Sequence, residues 1–316
     1  MDVLITEDLV SPEIDRLGKT YSIVFEPALW KDPAGLKARI TPAKALMIRN
    51  QTRITDDLLA AAPALKVIGR VGVGLDNIDL SASKKRGVVV IAPLNANAVS
   101  VAELTIALIL SLARKIPAGD RSTKAGQWDR KTFTGIELDG KTLAICGLGR
   151  IGRLVALRAR TFGMKVAVYD PFVKSNSPAL AGLDAVLFEN LEQALASADF
   201  VTVHSPLTPE TKHLFNEHTF GAMKRGSFFI NTSRGGVMDE KALLRALQTG
   251  HLAGAALDVR EAEPPATQTG FESLDNVILT PHVGAFTHEA QTRTFEAVCD
   301  DLDRVLRGEP PQNAVT

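Results

Sequence analysis

Three ionisable residues in the second half of the sequence each follow a short apolar run: Arg234, Glu263 and His282. A planar guanidinium can hold a carboxylate through two parallel hydrogen bonds. A histidine exchanges protons near neutral pH, and a carboxylate beside it favours the protonated imidazole and fixes its orientation. We therefore predict that these residues form a catalytic set that binds an anionic substrate and moves one proton.

Taken alone, each of the three has a plainer interpretation. Arg234 could be a surface charge, Glu263 a loop charge and His282 a turn residue. The catalytic interpretation is favoured because all three follow predicted strands, and ligands of open α/β sheets bind beyond the carboxyl ends of the strands. These strands are predicted at 227–231, 253–258 and 277–280.

A glycine-rich turn upstream indicates which ligand this edge of the sheet would hold. The predicted strand 141–145 runs into Gly147, Gly149 and Gly152, and a helix is predicted over 150–162. In such a turn, glycines allow a tight bend, close approach of a pyrophosphate and close packing of helix on strand. Free N–H groups and the dipole at the start of the helix favour an anion. We therefore predict a dinucleotide site.

An acidic residue, Asp170, follows the next predicted strand, 165–169. A carboxylate at this place can accept hydrogen bonds from both ribose hydroxyls. Its charge would repel the 2′-phosphate of NADP, and the next residue is Pro171 rather than an arginine that could offset this repulsion. The predicted cofactor is therefore NAD.

The elements that would position these residues continue along the whole chain. Short β-branched runs alternate with helical stretches, which is typical of an α/β protein with doubly wound parallel sheets covered on both faces. Upstream of the turn, strands are predicted at 3–5, 22–25, 45–48, 66–69 and 88–91, and helices at 12–18, 33–39, 55–61 and 79–86. Downstream, further strands are predicted at 185–188 and 199–203.

Two α/β units are expected, with boundaries near 98 and 285. A long apolar helix is predicted at 99–114, with Ser100 to Glu103 as a capping box at its start. Residues 117–138, which include Pro117, Gly119, Gly126 and Gly135, are predicted to be irregular. A last helix is predicted at 287–307, and Pro310-Pro311 is predicted to end the structured chain.

Composition narrows the class of protein. The 316 residues include 36 Lys+Arg and 36 Asp+Glu, so no bulk charge favours nucleic acid or an anionic membrane. Two cysteines, Cys146 and Cys299, suit a reducing compartment, and no histidine or cysteine spacing indicates a metal site. With no signal peptide recognisable at the start, a soluble cytoplasmic protein is expected.

Several motifs resemble those of one family, the D-isomer-specific 2-hydroxyacid dehydrogenases, and they occur in that family's order over nearly the whole chain. They lie at 147–152, 204–211, 231–236, 257–264 and 281–284. The resemblance implies a Rossmann NAD-binding domain over 99–284 and a flavodoxin-like, discontinuous substrate domain formed by 1–98 and 285–316. It also implies a homodimer, with 99–115 and the loop that follows near the interface.

The resemblance also implies a role for each catalytic candidate. Arg234 would bind the substrate carboxylate, and Glu263 and His282 would be the acid–base pair. The cofactor would contact Val73, Gly147, Gly149, Arg150, Ile151, Gly152, Asp170, Ser205, Thr232, Ser233, Asp258 and Gly284. The substrate would contact Arg49, Arg70, Val73, Gly74, Arg130 and Arg234.

Within the family, the closest resemblance is to the D-3-phosphoglycerate dehydrogenases, on residues 71–79, 125–130 and 243–248. It implies 3-phosphoglycerate as the substrate, with Arg49, Arg70 and Arg130 around its phosphate. Since the sequence ends at Thr316, a short form without regulatory domains is expected.

The sequence departs from the subgroup in two places. An extra residue occurs within 93–98, and Phe286 stands where a small or polar residue is usual. A glyoxylate or hydroxypyruvate reductase, or another 2-hydroxyacid dehydrogenase, is therefore an alternative. An NAD-sensing, corepressor-like binding protein is an alternative of a different class. Formate dehydrogenases pair glutamine with the histidine, and Glu263 argues against them.

Overall fold

The structure, a computed structural model, describes residues 1–316. Its strands are β1 Val3–Ile5, β2 Ile23–Phe25, β3 Ala45–Ile48, β4 Val67–Arg70, β5 Val89–Ile91, β6 Thr142–Cys146, β7 Lys165–Tyr169, β8 Ala185–Phe188, β9 Phe200–Val203, β10 Phe228–Asn231, β11 Gly254–Leu257 and β12 Val277–Leu279. Its helices are α1 Pro12–Gly18, α2 Pro33–Ile40, α3 Asp56–Ala60, α4 Leu80–Lys85, α5 Ala98–Ala113, α6 Ile116–Lys124, α7 Arg150–Thr161, α8 Leu191–Ser197, α9 Glu217–Ala222, α10 Glu240–Gln248 and α11 His288–Leu306.

The chain divides into two compact units. Unit 1 contains Met1–Asn97 and Ala285–Thr316, and unit 2 contains Ala98–Gly284. Each unit is built on one wholly parallel sheet, of five strands in unit 1 and seven in unit 2. The predicted fold class, an α/β protein with two doubly wound parallel sheets, is confirmed.

The sheet of unit 1 has the order β2-β1-β3-β4-β5, which is the flavodoxin order. Successive strand residues point to opposite faces, so Leu4 packs with α2 and α3 while Val3 and Ile5 pack with α1 and α11. Helix α11 lies so close to β4 that a Cβ on Gly69 would come within 2.7 Å of Val298 Cγ1. The C-terminal helix is therefore part of the core of unit 1.

The sheet of unit 2 has the order β12-β11-β10-β9-β6-β7-β8. Its first six strands in chain order reproduce the Rossmann arrangement, and β12 adds a seventh at the edge next to β11. Helices α5 and α7 cover one face of this sheet, and α8, α9 and α10 cover the other. The sheet order changes direction between β6 and β9, which is where ligands of doubly wound sheets bind.

One segment predicted to be irregular is helical. Helix α6 covers part of 117–138, although it contains Pro117 and Gly119. Pro117 lies in the first turn, where a backbone N–H has no partner within the helix, so proline costs little there. The prediction was wrong because these residues were interpreted as helix breakers without regard to their position.

Two predicted boundaries also differ. Helix α5 begins at Ala98, so Ser100 lies inside its first turn and is buried instead of capping it. The chain remains structured beyond Pro310-Pro311, because Ala314 pairs antiparallel with Ile91 and extends the edge of the unit 1 sheet. Backbone bonds from Ala92 N–H to Asn313 and from Val315 N–H to Val90 complete this pairing.

None of the helices is both long enough and apolar enough to cross a membrane.

Candidate active site

Strands β10, β11 and β12 are parallel neighbours, and their carboxyl ends lie at one edge of the unit 2 sheet. Arg234 follows β10, Glu263 follows β11 and His282 follows β12. The parallel topology thus brings three residues that are far apart in sequence to the same edge.

Glu263 and His282 are in direct contact. Glu263 Oε2 lies 2.6 Å from His282 Nδ1, and both side chains remain partly open to solvent. Burial raises the pKa of Glu263, but the hydrogen bonds from His282 and the Arg260 N–H, with the charges of His282 and Arg234, outweigh it and lower the pKa. The carboxylate is therefore ionised at neutral pH and leaves Nε2 of His282 as the ring nitrogen available for a substrate.

Asp258 holds the backbone around His282. It is 1% exposed, and it accepts hydrogen bonds from Thr280 Oγ1 at 2.5 Å, Val283 N at 2.9 Å and Gly284 N at 2.8 Å. His282 itself has a φ of 54°, in the left-handed region that only a few per cent of non-glycine residues adopt. Such strain persists only where surrounding contacts impose it, and the three bonds to Asp258 do so here.

Asn231 has the corresponding role for Arg234. Its Oδ1 accepts from Ser233 N and Oγ, both at 2.9 Å, and its Nδ2 donates to Arg234 O at 3.0 Å. Arg234 Nη1 donates to Ser233 O at 2.7 Å, so the guanidinium is held back over its own turn. Its charge lowers the pKa of Glu263, which places Arg234 within electrostatic range of the Glu263–His282 pair.

The glycine turn after β6 has the geometry that a pyrophosphate requires. Gly147 has a φ of 100°, and a Cβ there would meet His204 O at 2.8 Å. A Cβ on Gly152 would lie 2.1 Å from Gly147 O, so helix α7 packs tightly on the turn. A Cβ on Gly149 would meet nothing within 4 Å, which leaves open space above the start of the helix.

Helix α7 begins without a side-chain cap, so its first N–H groups are available to an anion. Asp170 accepts from Leu148 N at 2.8 Å and from Phe172 N at 2.9 Å, which ties the end of β7 to the glycine turn. Arg150 is exposed at the first position of α7, and Ile151 packs into the core beneath it. These features fit a dinucleotide with its pyrophosphate at α7 and a ribose at Asp170.

A cavity of about 470 Å³ opens beside the end of β7. Tyr169, Leu191 and Leu214 are among the residues that line it, together with Glu189 and Glu210. Its lining also includes Lys212 and His218, and its place next to Asp170 suits the adenosine half of a dinucleotide.

The remaining cofactor candidates of unit 2 lie on the same edge. Ser205 Oγ donates to Cys146 O at 3.4 Å, and Thr232 Oγ1 lies 2.9 Å from Thr105 Oγ1 on α5. His204, beside the glycine turn, has its pKa lowered to about 3 by burial, so it is neutral at physiological pH. Its Nε2 lies 3.1 Å from Thr202 Oγ1 on β9.

The substrate candidates of unit 1 lie after β3 and β4. Arg49 donates from Nη2 to Gln291 Oε1, and its Cζ lies 4.6 Å from the centre of the Phe286 ring. Burial lowers the pKa of Arg49, although the charge of Glu7 opposes this. The direct partners of the Arg49 guanidinium are therefore neutral groups, which leaves it suited to a further anion.

Glu7 explains why Arg49 lies where it does. Its carboxylate accepts from the backbone N–H groups of Arg49 and Thr52, both at 2.9 Å, and of Asn50 and Gln51, both at 3.1 Å. This buried residue was not a sequence candidate, because its partners lie in a loop far along the chain.

The remaining predicted substrate contacts are Arg70, Val73, Gly74 and Arg130. Arg70 is buried and donates from Nη1 to Val71 O at 3.0 Å. Val73 and Gly74 lie in the bend that follows β4. Arg130 lies exposed after α6, in unit 2 rather than unit 1. Within its own unit, Arg70 is turned into the protein by its bond to Val71, whereas Arg49 is only half-buried.

Comparison with known proteins identifies the relatives of this chain. Residues 106–284 match the family model described as "D-isomer specific 2-hydroxyacid dehydrogenase, NAD binding domain". The chain is 43% identical over 313 residues to D-3-phosphoglycerate dehydrogenase of Methanocaldococcus jannaschii, which covers 99% of this chain but 59% of that protein. The chain thus spans a little over half the length of this curated relative.

Two solved structures share the whole architecture. A glyoxylate reductase from Paecilomyes thermophila superposes with a TM-score of 0.88 at 29% identity, covering 100% of this chain and 98% of that one. D-Lactate dehydrogenase from Aquifex aeolicus, complexed with NAD and lactic acid, superposes with a TM-score of 0.86 at 32% identity, covering 98% and 96%.

Proposed function

Since the chain belongs to the D-isomer specific 2-hydroxyacid dehydrogenases, we propose that it is an NAD-dependent oxidoreductase acting on a D-2-hydroxy acid or the matching 2-keto acid. The observation that carries the proposal is the 2.6 Å contact of Glu263 with His282, beside Arg234 and at the sheet edge of the glycine turn. Held at the turn from Gly147 to Gly152 and at Asp170, the nicotinamide cofactor would supply the hydride acceptor for oxidation of the hydroxyl-bearing carbon and the hydride donor for the reverse reduction.

The residues of the chain handle the proton and the charge. Arg234 binds the carboxylate of the substrate and polarises the neighbouring carbonyl. His282 takes the hydroxyl proton at Nε2 during oxidation and returns it during reduction. Glu263 stabilises the imidazolium that forms, because its lowered pKa keeps it ionised.

Unit 2 is proposed as the NAD domain and unit 1 as the substrate domain. The turn from Gly147 to Gly152 would hold the pyrophosphate, Asp170 the ribose and the cavity beside Tyr169 the adenosine. The sequence prediction of NAD agrees with the family model, which is that of an NAD-binding domain. Val73, Ser205, Thr232, Ser233, Asp258 and Gly284 remain proposed cofactor contacts.

We propose 3-phosphoglycerate as the substrate. The relative from Methanocaldococcus jannaschii bears the name of that activity at 43% identity, and Arg49 offers a half-buried cation with neutral partners. Arg49, Arg70 and Arg130 are the proposed phosphate contacts. A glyoxylate or hydroxypyruvate reductase is the second candidate, and it is favoured by the ring of Phe286 against Arg49 and by the fold shared with a glyoxylate reductase.

A homodimer is proposed as the working form. Helix α5, helix α6 and the segment after them expose the apolar side chains Val99, Ile116 and Trp128, the last to 80%. Exposed apolar surface is typical of protein–protein contacts, and a second copy of the chain is the proposed partner that covers it. Sedimentation velocity of the wild type and of Trp128→Ser tests this, since a monomeric wild type would contradict it.

A substrate panel with NADH absorbance as readout tests the activity. We expect turnover of phosphohydroxypyruvate with NADH, and of 3-phosphoglycerate with NAD. Turnover of glyoxylate or hydroxypyruvate alone would show that 3-phosphoglycerate is not the substrate. No turnover of any 2-hydroxy or 2-keto acid would favour an NAD-sensing binding protein. His282→Ala should lose about 10³-fold in kcat while still binding NADH.

A further inference from the structure

An almost buried ion cluster lies behind Glu263. The side chain of Arg260 is 9% exposed, and its Nε and Nη2 donate to the two carboxylate oxygens of Glu240 at 2.9 and 3.0 Å. Nη2 also donates to Thr269 Oγ1 at 2.6 Å, and the guanidinium lies over the Phe271 ring at 5.1 Å. A two-point fork of this kind fixes direction as well as distance.

The same cluster forms hydrogen bonds to the backbone segment that carries Glu263. Glu240 Oε1 also accepts from Glu261 N at 2.8 Å, and Glu261 Oε1 accepts from Glu240 N at 3.0 Å. One residue earlier, Arg260 N donates to Glu263 Oε1 at 3.0 Å. The oxygen of Glu263 that does not face His282 is therefore held by the backbone N–H of Arg260, the residue whose side chain and following peptide the cluster anchors.

The Arg234 segment rests on that peptide too. A Cβ on Gly235 would lie 1.8 Å from Arg260 O, so the backbone next to Arg234 is pressed directly against it. The segments of Arg234 and Glu263 thus share one reference point, the backbone of Arg260.

We propose that Arg260 is a positioning residue for the acid–base pair: clamped by Glu240, it fixes the backbone N–H that holds Glu263 against His282 and the backbone carbonyl that supports the turn of Arg234. The inference rests on the proposed function for its kinetic consequence. Geometry of this kind matters because a displacement of about 1 Å in a reacting group can cost about 10²-fold in rate.

Arg260→Gln tests the proposal, since glutamine can bond to only one oxygen of Glu240 and carries no charge. We expect kcat to fall about 10- to 100-fold with the KM for NADH within twofold. We also expect a larger primary isotope effect with NADH deuterated at the transferred position, because hydride and proton transfer become slower. Glu240→Gln should give the same pattern more weakly, and it serves as the second variant where Arg260→Gln folds poorly.

Arg245→Gln is the matched control. Arg245 lies on the same helix α10 and forms an exposed ion pair with Glu217 at 3.2 Å that does not touch residues 260–263. It should leave kcat and the isotope effect unchanged. Arg260→Lys should recover part of the loss, because an ammonium supplies charge without the two-point fork.

A second readout does not depend on turnover. The His282 Nδ1–H bonded to Glu263 should give a downfield proton resonance, present in wild type and Arg245→Gln and lost or shifted in Arg260→Gln. Were the wild type inactive on every substrate and the resonance still lost in Arg260→Gln, the proposed function would fail and the positioning role would stand. An unchanged resonance in folded Arg260→Gln overturns the positioning role, and so does an unchanged kcat in an active enzyme.

Discussion

Each proposed catalytic residue has a separate residue that holds its backbone. Asn231 holds the Arg234 turn, the Arg260 peptide holds Glu263, and Asp258 holds the loop of His282. None of these holders was predicted to do so from the sequence, because each bond depends on the fold rather than on a local pattern. The geometry of the glycine turn and the place of Asp170 could be predicted, because both follow from the local sequence pattern of one strand–turn–helix–strand unit.

Glu263→Gln tests the acid–base pair. The pKa of Glu263 is lowered, so its carboxylate stays ionised as pH falls below the usual carboxyl range and is lost only at the lower, folded-state pKa. We expect wild-type kcat to retain this carboxylate's contribution down to mildly acidic pH, and the variant to lose about 10²-fold at neutral pH. Steady-state kinetics across pH check this. Exposed Glu217→Gln is the control, and equal activity of Glu263→Gln would refute the role.

Arg49 and Phe286 govern the proposed anion contact. Stacking of the Phe286 ring on the half-buried Arg49 contributes about 0.5–1 kcal/mol to holding the guanidinium in place. Phe286→Ser should therefore release Arg49 from that position and raise the KM for the anionic substrate about two- to fivefold, with kcat nearly constant. Arg49→Gln should raise KM further. Arg53→Gln, an exposed arginine of the same loop, should change neither. Arg49→Gln with wild-type KM would remove Arg49 from the substrate site.

At the level of elements, the strands and helices that were predicted lie within one or two residues of the observed ones, because apolar runs and helix caps are local signals. Helices α8, α9 and α10 were not assigned from the sequence. Helix α6 was missed, since Pro117 breaks a helix only in its interior. The C-terminal pairing of Ala314 with Ile91 was missed because a strand partner far away in sequence leaves no local trace.

Substitutions at two glycines of the same turn should have different effects, one on stability and the other on cofactor binding. Gly152→Ala places a Cβ 2.1 Å from Gly147 O, so α7 must move away from the turn and stability should fall by roughly 1–3 kcal/mol. Gly149→Ala meets no protein atom within 4 Å and should melt like wild type while binding NADH more weakly. Thermal melts and NADH fluorescence titrations check both. A wild-type melt of Gly152→Ala would contradict the packing.

Asp301 holds the C-terminal segment. It is 1% exposed and accepts from Gln312 N at 2.8 Å, from Asn313 N at 2.7 Å and from Asn313 Nδ2 at 2.9 Å. Asp301→Asn places an amide donor against these donors and should cost about 1–3 kcal/mol. Hydrogen exchange should then accelerate at 312–316 and at Val90. Asp300→Asn, its exposed neighbour, is the control, and unaltered exchange in Asp301→Asn would show that the segment is held otherwise.

For the whole molecule, the proposed cofactor preference predicts a stabilisation that depends on the dinucleotide. A ligand present at 100 times its Kd stabilises the folded state by about 2.7 kcal/mol. NADH should therefore raise the melting temperature by several degrees, whereas NADPH, repelled at Asp170, should do so little. Scanning calorimetry with each cofactor checks this, and an equal shift with NADPH would overturn the assignment of Asp170.

Because α11 is the last helix of the chain and packs against β4 at Gly69, the core of unit 1 can be completed only at the end of synthesis. A ribosome delivers β1–β5 first, then the continuous unit 2, and only afterwards the helix whose Val298 and Leu302 lie against β4. Unit 2 is continuous in the chain and emerges before α11, so until then only α1 packs on that face of the first sheet, and the part that α11 covers stays exposed. During that interval the nascent chain exposes apolar surface of unit 1, so chaperone binding during translation should be concentrated on the N-terminal segment.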